Sequence, residues 1–406
     1  MSAETMRTRV TILRALSFCL ACLSLAACSA LEGPGYLWQS VEGHLDLMWR
    51  ARPIAELLDD PATDAETRRK LVLVREARDF ASAELALPDN GSYTRYAGLD
   101  RPFVLWNVFA APALSVELRR WCFPLAGCVG YRGYYDKADA ERFAARLAQE
   151  GYDTHVAGVP AYSTLGWFDD PMPSSVLRLS DPEIARLIFH ELAHQVVYVP
   201  GDTTFNESFA TAVEEAGLER WLRHREAIDG DPGPAAAWAA HRHRRQGFLE
   251  LVRQTRARLA AIYDSDETDA RKLAAKTVAL GDMRAEYREL RRQWGGFAGY
   301  DRWFERPLGN AHLASIGAYT DLLPGFRRLL AEQGGELDAF HDAVRRLAEL
   351  PADERRAALG DGEPLRATTA RPADAGAPQW AAGSGHERLP DEGPAERGHR
   401  QQGEER

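Results

Sequence analysis

The chain has 406 residues, 45% hydrophobic and 27% charged, which is ordinary for a folded protein and enough for a substantial buried core. Its formal net charge of -10 lacks the basic excess that a phosphate-backbone partner requires, so no nucleic-acid partner is expected. Local arginine clusters such as Arg242, Arg244 and Arg245 read as a solvated helix face.

Residues 1–27 read as a targeting segment, with Arg7, Arg9 and Arg14 ahead of an apolar run from Ala15 to Ala27. Leu25-Ala26-Ala27-Cys28 resembles the bacterial lipobox, which implies that Cys28 becomes the lipidated first residue of the mature chain. Cys22 is a weaker candidate, because Cys19 stands where a branched residue belongs; an ordinary secretory signal cut elsewhere is the alternative. The run is short for a transmembrane span, so a lipid anchor at Cys28 is the expected membrane attachment. Ser29 in place of Asp implies, by the same resemblance, the bacterial outer membrane with the protein facing the periplasm.

Helical periodicity runs from about Tyr36 to Leu87, with a long charged helix from Thr67. Phe103 to Phe109 and Cys128 to Tyr135 read as strands between Gly and Pro punctuation. Between them, Cys122 and Cys128 are expected to close a small disulfide loop around Pro124 and Gly127 in an oxidising compartment. A helix from Asp136 to Gln149 and a strand from Asp153 to Leu165 follow, ending at Gly166 and Asp169-Asp170-Pro171. From Asp181, with Ser180 or Asp181 as cap and Pro182 in the first turn, the chain is mostly helical. Helices are expected over about Asn206–Glu226, Ala235–Ile262 and Glu267–Trp294, with two more between Asn310 and Leu350. The pair within residues 235–295 is rich in Arg and Glu and reads as an exposed hairpin lying over a core. Residues 361–406 have almost no large apolar residue and read as a disordered tail. The expectation is one α+β, predominantly helical domain over residues 28–360, with a small sheet and an added helical hairpin.

The chemistry sits in Ile188-Phe189-His190-Glu191-Leu192-Ala193-His194-Gln195. Histidines four apart on a helix share a face and can bind one metal ion, while Glu191 lies about 100° round from His190. Such a carboxylate can serve the water that the metal activates without being a ligand. Pro200-Gly201-Asp202 then permits a turn, and Phe205-Asn206-Glu207-Ser208-Phe209-Ala210 opens a second helix with a carboxylate at its start. A returning helix can bring Glu207 beside His190 and His194, giving a three-ligand zinc site with an open position. The arrangement with a third histidine is excluded, since Val197 and Pro200 stand where its glycine and histidine would be. Glu214 and Glu215 are rivals for third ligand, although orienting a ligand histidine suits one of them better. His224, His241, His243, His341, His386 and His399 read as surface or tail histidines.

Asn-Glu-x-Phe-Ala after His-Glu-x-x-His resembles the gluzincin metallopeptidases. More closely, the chain resembles the bacterial predicted aminopeptidase family of lipoproteins. The resemblance runs from about Gly35 to Leu350, through Cys122 to Tyr135, Ala161-Tyr-Ser-Thr-Leu-Gly-Trp-Phe-Asp-Asp-Pro, the metal motif and Asn310-Ala-His-Leu-Ala-Ser. It implies a gluzincin-like core, one zinc ion, a peptide or protein substrate, and a peptidase reaction with Glu191 as base. The Gly-x-Met-Glu-Asn stretch that anchors a free amino group in zinc aminopeptidases is missing, so an envelope endopeptidase on the same zinc stands as the alternative. A non-catalytic zinc-containing peptide-binding or assembly lipoprotein is a second alternative. By the same analogy Val159 to Trp167 would be a strand that pairs with extended substrate. Tyr319 would donate to the oxyanion, with His312 and Tyr300 behind it.

Overall fold

The computed structural model describes residues 33–123 and 127–360. The expected leader, its Cys28, residues Pro124 to Ala126 of the cysteine loop and the tail over 361–406 lie outside the described residues. The chain divides into a unit ending at Trp49 and a second beginning at Arg50. The described part of the first, residues 33–49, lies within one helix, α1 (Gly33–Arg50). No helix among the described residues is long and apolar enough to cross a membrane.

In the second unit, Ala51–Pro53 forms β1, which the helical reading from Tyr36 to Leu87 misses. Pro53 lacks the N–H that a continuous helix would need there. Helices α2 (Ile54–Asp59) and α3 (Ala65–Glu84) follow, and the Asp64 side chain accepts from Thr67 N to cap α3. The small sheet is two separate three-stranded sheets. One has the order β1-β2-β8, with β2 (Arg95–Ala97) antiparallel to β1 and parallel to β8 (Met172–Pro173). The other is antiparallel with the order β6-β3-β7, where β3 is Leu105–Pro112, β6 is Tyr131–Tyr134 and β7 is Tyr152–Val159. Val108 sits opposite Arg132 on one side and Val156 on the other, and α4 (Lys137–Gln149) joins β6 to β7. Strands β4 (Trp121–Phe123) and β5 (Gly127–Val129) form a ribbon in which Cys122 faces Cys128 and is bonded to it as a disulfide.

The strand expected to reach Leu165 stops at Val159. Pro160 cannot donate to a ladder, and Leu165 and Gly166 then take left-handed φ values of 59° and 82°. The buried Asp170 carboxylate holds this loop, accepting from Thr164 N at 2.6 Å and Thr164 Oγ1 at 2.9 Å. Burial pushes the Asp170 carboxyl up to about 7, against the pull of those two bonds. Val159 to Trp167 is thus a braced loop past its first residue, not a strand for substrate to join.

Helices α5 (Asp181–Ala193) and α6 (Thr203–Asp229) form the centre of the larger core. Leu71, Val74 and Phe80 of α3 pack on Ile184, Leu187, Ile188 and Phe189 of α5, and Phe205 and Phe209 of α6 meet Phe326 and Phe340. The crossing is close at Gly217, where a Cβ would lie 3.0 Å from the Phe189 ring and 2.8 Å from Leu85 Cδ1. The hairpin of α7 (Gly233–Tyr263) and α8 (Asp269–Gln293) does not merely cover a core. Phe248, Leu259, Met283 and Tyr287 build a second one with Tyr300, Trp303 and Phe304 of the segment around α9 (Asp301–Glu305), and with Leu313 of α10 (Asn310–Thr320). Apolar residues at wide intervals, aliphatic and aromatic, carry that burial, so the Arg and Glu between them mask it in the sequence. Helices α11 (Leu323–Glu332), α12 (Leu337–Ala348) and α13 (Ala352–Leu359) close the larger core.

His341 of α12 is buried at 1% exposure, which corrects its reading as a surface residue. It packs on Phe209 and Phe340, and burial lowers its pKa to about 4, with Arg345 adding to the fall and Asp338 and Asp342 opposing it. The imidazole is neutral in the fold while the unfolded chain protonates near pH 6.5, so the unfolded state binds more protons between those values. Stability should therefore fall as pH drops from about 6.5 to 4, by on the order of 3 kcal/mol from this group. Urea melts of the parent and His341→Leu across that range test it. The variant should lose this component of the acid sensitivity, and parallel curves would refute the assignment.

Candidate metal centre

Ser180 begins the metal helix α5 by donating its backbone N–H and hydroxyl to Glu183 Oε2, at 3.0 and 2.9 Å. From α3, Lys70 donates to Leu179 O and Asp181 Oδ1 at 2.7 and 2.8 Å, so the first turn is fixed to the core. His190 and Glu191 lie fully buried in the last turn, and His194 follows at the C-cap at 2% exposure. The next eight residues reverse the chain. Asn206 staples that turn, accepting from Val199 N at 2.8 Å and donating to Val199 O at 2.9 Å. Asp202 caps α6 through Phe205 N, and its other carboxylate oxygen accepts from Arg355 of α13 at 2.8 and 3.2 Å. Glu207 therefore enters on the first turn of a helix whose start is held from two sides.

The ribbon braces the turn from outside. Gly127, at φ 70°, lies so near Gly201 that a Cβ would sit 2.5 Å from its nitrogen. Arg120 donates to Cys128 O at 2.7 Å and also to Gly201 O. No side chain fits at Gly127, both for its left-handed φ and for this backbone contact.

Three donor atoms converge. His190 Nε2 is 3.1 Å from His194 Nε2 and 3.2 Å from Glu207 Oε2, and His194 Nε2 is 3.6 Å from the same oxygen. For a tetrahedral ion with bonds near 2.05 Å, neighbouring ligand atoms lie roughly 3.3 Å apart. The triangle therefore matches three corners of such a site, all buried. His190 Nδ1 faces Glu214 Oε2 at 3.0 Å and donates to it, which leaves the Nε2 lone pair for the ion. Glu214 is held in turn by Arg186 Nη1 at 2.9 Å. Glu215 points elsewhere, to Arg245 at 3.1 Å and Arg327 at 2.7 Å. The two rival carboxylates thus separate, one behind His190 and one in half-buried ion pairs with Arg245 and Arg327.

Electrostatics fit a cationic guest. Burial disfavours a charged His190, yet its bonds to Glu207 and Glu214 outweigh that and hold its pKa up at about 10. Burial likewise opposes the Glu207 carboxylate, but the charge of His194 and the hydrogen bonds from both histidines bring it down to about 2. The pocket is built for positive charge, and an ion entering it would replace a proton.

Among the other expected residues, His312 is buried between His155 and Trp303, with ring centroids 4.0 and 4.3 Å away. Tyr300 stacks on Phe248 in the second core at 4.5 Å. Tyr319 lines a cavity with Arg186, Thr211, Glu214, Arg245 and Leu249, a lining that includes none of His190, Glu191, His194 or Glu207.

Two tyrosines that motif reading passes over stand nearer. Tyr198 has its ring 6.4 Å from that of His194, and burial raises its phenol above the usual range, with the Glu207 charge adding to the rise. It stands four residues after His194, in the segment between α5 and α6, where the chain has left the helix. Tyr93 is fully buried at a left-handed φ of 64°, and burial followed by the charge of Glu191 raises its phenol. No local pattern marks Tyr93, because its chain segment reaches the site only through the fold. Beside them, Gln195 donates to Ser92 Oγ at 3.1 Å and accepts from Asn90 at 2.7 Å, which ties the loop before β2 to the residue after His194.

A family model described as "Putative aminopeptidase" matches residues 35–359. No curated protein and no solved structure matches the chain.

Proposed function

Since the chain belongs to that putative aminopeptidase family, we propose that it is a zinc-dependent peptidase, most simply an aminopeptidase acting on periplasmic peptides and anchored through lipid on Cys28 to the outer membrane. The observation that carries this reading is the triangle of His190, His194 and Glu207 with Glu191 buried next to it. A zinc ion held there would bring the pKa of a bound water near 7 and polarise a peptide carbonyl. Glu191 accepts the proton from the attacking water and passes it to the leaving amine. Glu214 keeps His190 in the tautomer that presents Nε2, and Arg186 holds Glu214 in place. Trp167 and Phe168, 57% and 44% exposed on the loop that Asp170 braces, suit contact with substrate side chains.

For the oxyanion donor we favour Tyr198 over Tyr319, on its closeness to His194 and Glu207. Tyr198→Phe should lower kcat by about 10- to 100-fold with KM little changed, and Tyr319→Phe should leave kcat within about 3-fold. The reverse pattern would return the role to Tyr319.

The whole reading is tested by metal content and peptide hydrolysis on the chain from Ser29, using free and N-acetylated peptides. An aminopeptidase cleaves only the free ones, and cleavage of both indicates the endopeptidase. Bound zinc with no cleavage of any peptide leaves a peptide-binding lipoprotein, and a preparation that takes up no zinc ends the metal reading.

A further inference from the structure

Helix α1 has a face that its own sequence leaves apolar and exposed. Trp49, Trp38, Leu37 and Leu45 are 83%, 70%, 48% and 42% exposed, four of the nine large hydrophobic residues that the described chain leaves open. At 100° per residue they fall with Val41 and Met48 inside an arc of about 120°. Glu42, Asp46, Gln39 and Arg50 follow in the neighbouring arc, about 20° to 100° beyond Trp49. The stripe therefore runs the length of the helix, with a tryptophan near each end.

What covers such a stripe follows from where the helix begins. Four residues, Ser29 to Glu32, separate Cys28 from Gly33. Even fully extended, that stretch spans at most about 18 Å. A chain anchored by lipid at Cys28 thus holds α1 against the bilayer surface at high effective concentration. Tryptophan suits the boundary between headgroups and acyl chains, and leucine, valine and methionine suit the layer just beneath. Glu42 and Asp46 against Arg50 give the helix no basic excess, so anionic headgroups are not its attraction.

We propose that α1 lies flat in the membrane interface, with Leu37, Trp38, Val41, Leu45, Met48 and Trp49 inserted into the lipid. The proposal rests on the anchor at Cys28 given above, and it deepens that reading from a flexible tether to a two-point attachment. Hydrophobic insertion makes the second point independent of lipid charge.

The test supplies the tether chemically, so that it does not depend on lipidation in the cell. The chain from Cys28, which retains every described residue, is coupled through that thiol to maleimide lipid in phosphatidylcholine vesicles, with the Cys122–Cys128 bridge closed. Tryptophan emission is compared between ordinary acyl chains and acyl chains brominated at mid-length, for the parent and for Trp38→Phe/Trp49→Phe. Both substitutions are conservative and on the exposed face, so folding is preserved, and eight of the ten tryptophans remain. Expected is bromine-dependent quenching in the parent that disappears in the variant, and that is equal when phosphatidylglycerol is added. No quenching in the parent, or equal quenching in the variant, overturns the proposal. Concentration-dependent dimerisation of the untethered chain that the double variant abolishes also overturns it and assigns the face to a second copy. The anchor itself is tested separately, by palmitate labelling of the full chain and its Cys28→Ala variant in cells. Its failure would leave the quenching result intact as a statement about the helix alone.

Discussion

Glu191→Gln is expected to lower kcat for peptide hydrolysis by about 1,000-fold while the bound metal stays at one ion per chain. The substitution keeps the size of a fully buried side chain and removes only its capacity to take and return a proton. None of the three converging donor atoms belongs to it, so metal binding has no reason to change. The residue sits one position after His190, about 100° round the helix, so under the proposed mechanism its carboxylate would serve the reacting water and not the ion. Metal analysis and turnover on one preparation decide the point. An active variant with metal bound would remove Glu191 from the chemistry, and an inactive one without metal would mean that it supports the site structurally.

The second large effect separates two carboxylates seven residues apart on α6. Glu207→Ala should leave the chain without retained metal and without activity, because two imidazoles alone cannot hold the ion against buffer. Glu214→Gln should keep one ion per chain at an affinity about 10- to 100-fold weaker. Glu214 touches His190 on the Nδ1 side, away from the converging atoms, so it acts on the ion only through the ring it orients. Glutamine is the better probe here, since it leaves Arg186 an acceptor in a place where a stranded guanidinium would cost stability. Competition against a zinc-sensitive dye measures both. If Glu214→Gln empties the site while Glu207→Ala retains the ion, the third ligand has been assigned to the wrong carboxylate.

The residues brought together at the centre could be read from the chain because each lies in a local pattern. His190 and His194 share a helix face by spacing, and Glu207 follows a turn that Pro200 and Gly201 announce. The divergence of Glu214 and Glu215 could not be read, since adjacent helical residues point about 100° apart and only the position of α5 decides which one meets a histidine. Tyr93 and Arg355 reach the site region from segments far away in sequence, and composition gives no hint of either. The long helices follow from periodicity. The end of β7 did not, because Val159 to Trp167 has the apolar and aromatic content of a strand, while Asp170 captures Thr164 and bends the chain away. The hairpin core was concealed for a different reason: its apolar residues are spaced widely enough among Arg and Glu that the average looks polar.

The clamp between Asp202 and Arg355 also bears on the order in which the molecule is made. A growing chain has all three converging side chains once Glu207 has been added, but the partner that fixes the turn before them lies 153 residues beyond Asp202. Until Arg355 docks, the turn lacks one of its holds and keeps only the Asn206 staple and the brace from the ribbon, so an ion bound as proposed would leave more readily from the unfinished chain. On the proposed metal reading, firm retention would be a property of the completed polypeptide, acquired wherever it finishes folding. A product that ends before Ala352 would bear every ligand and still exchange its ion quickly.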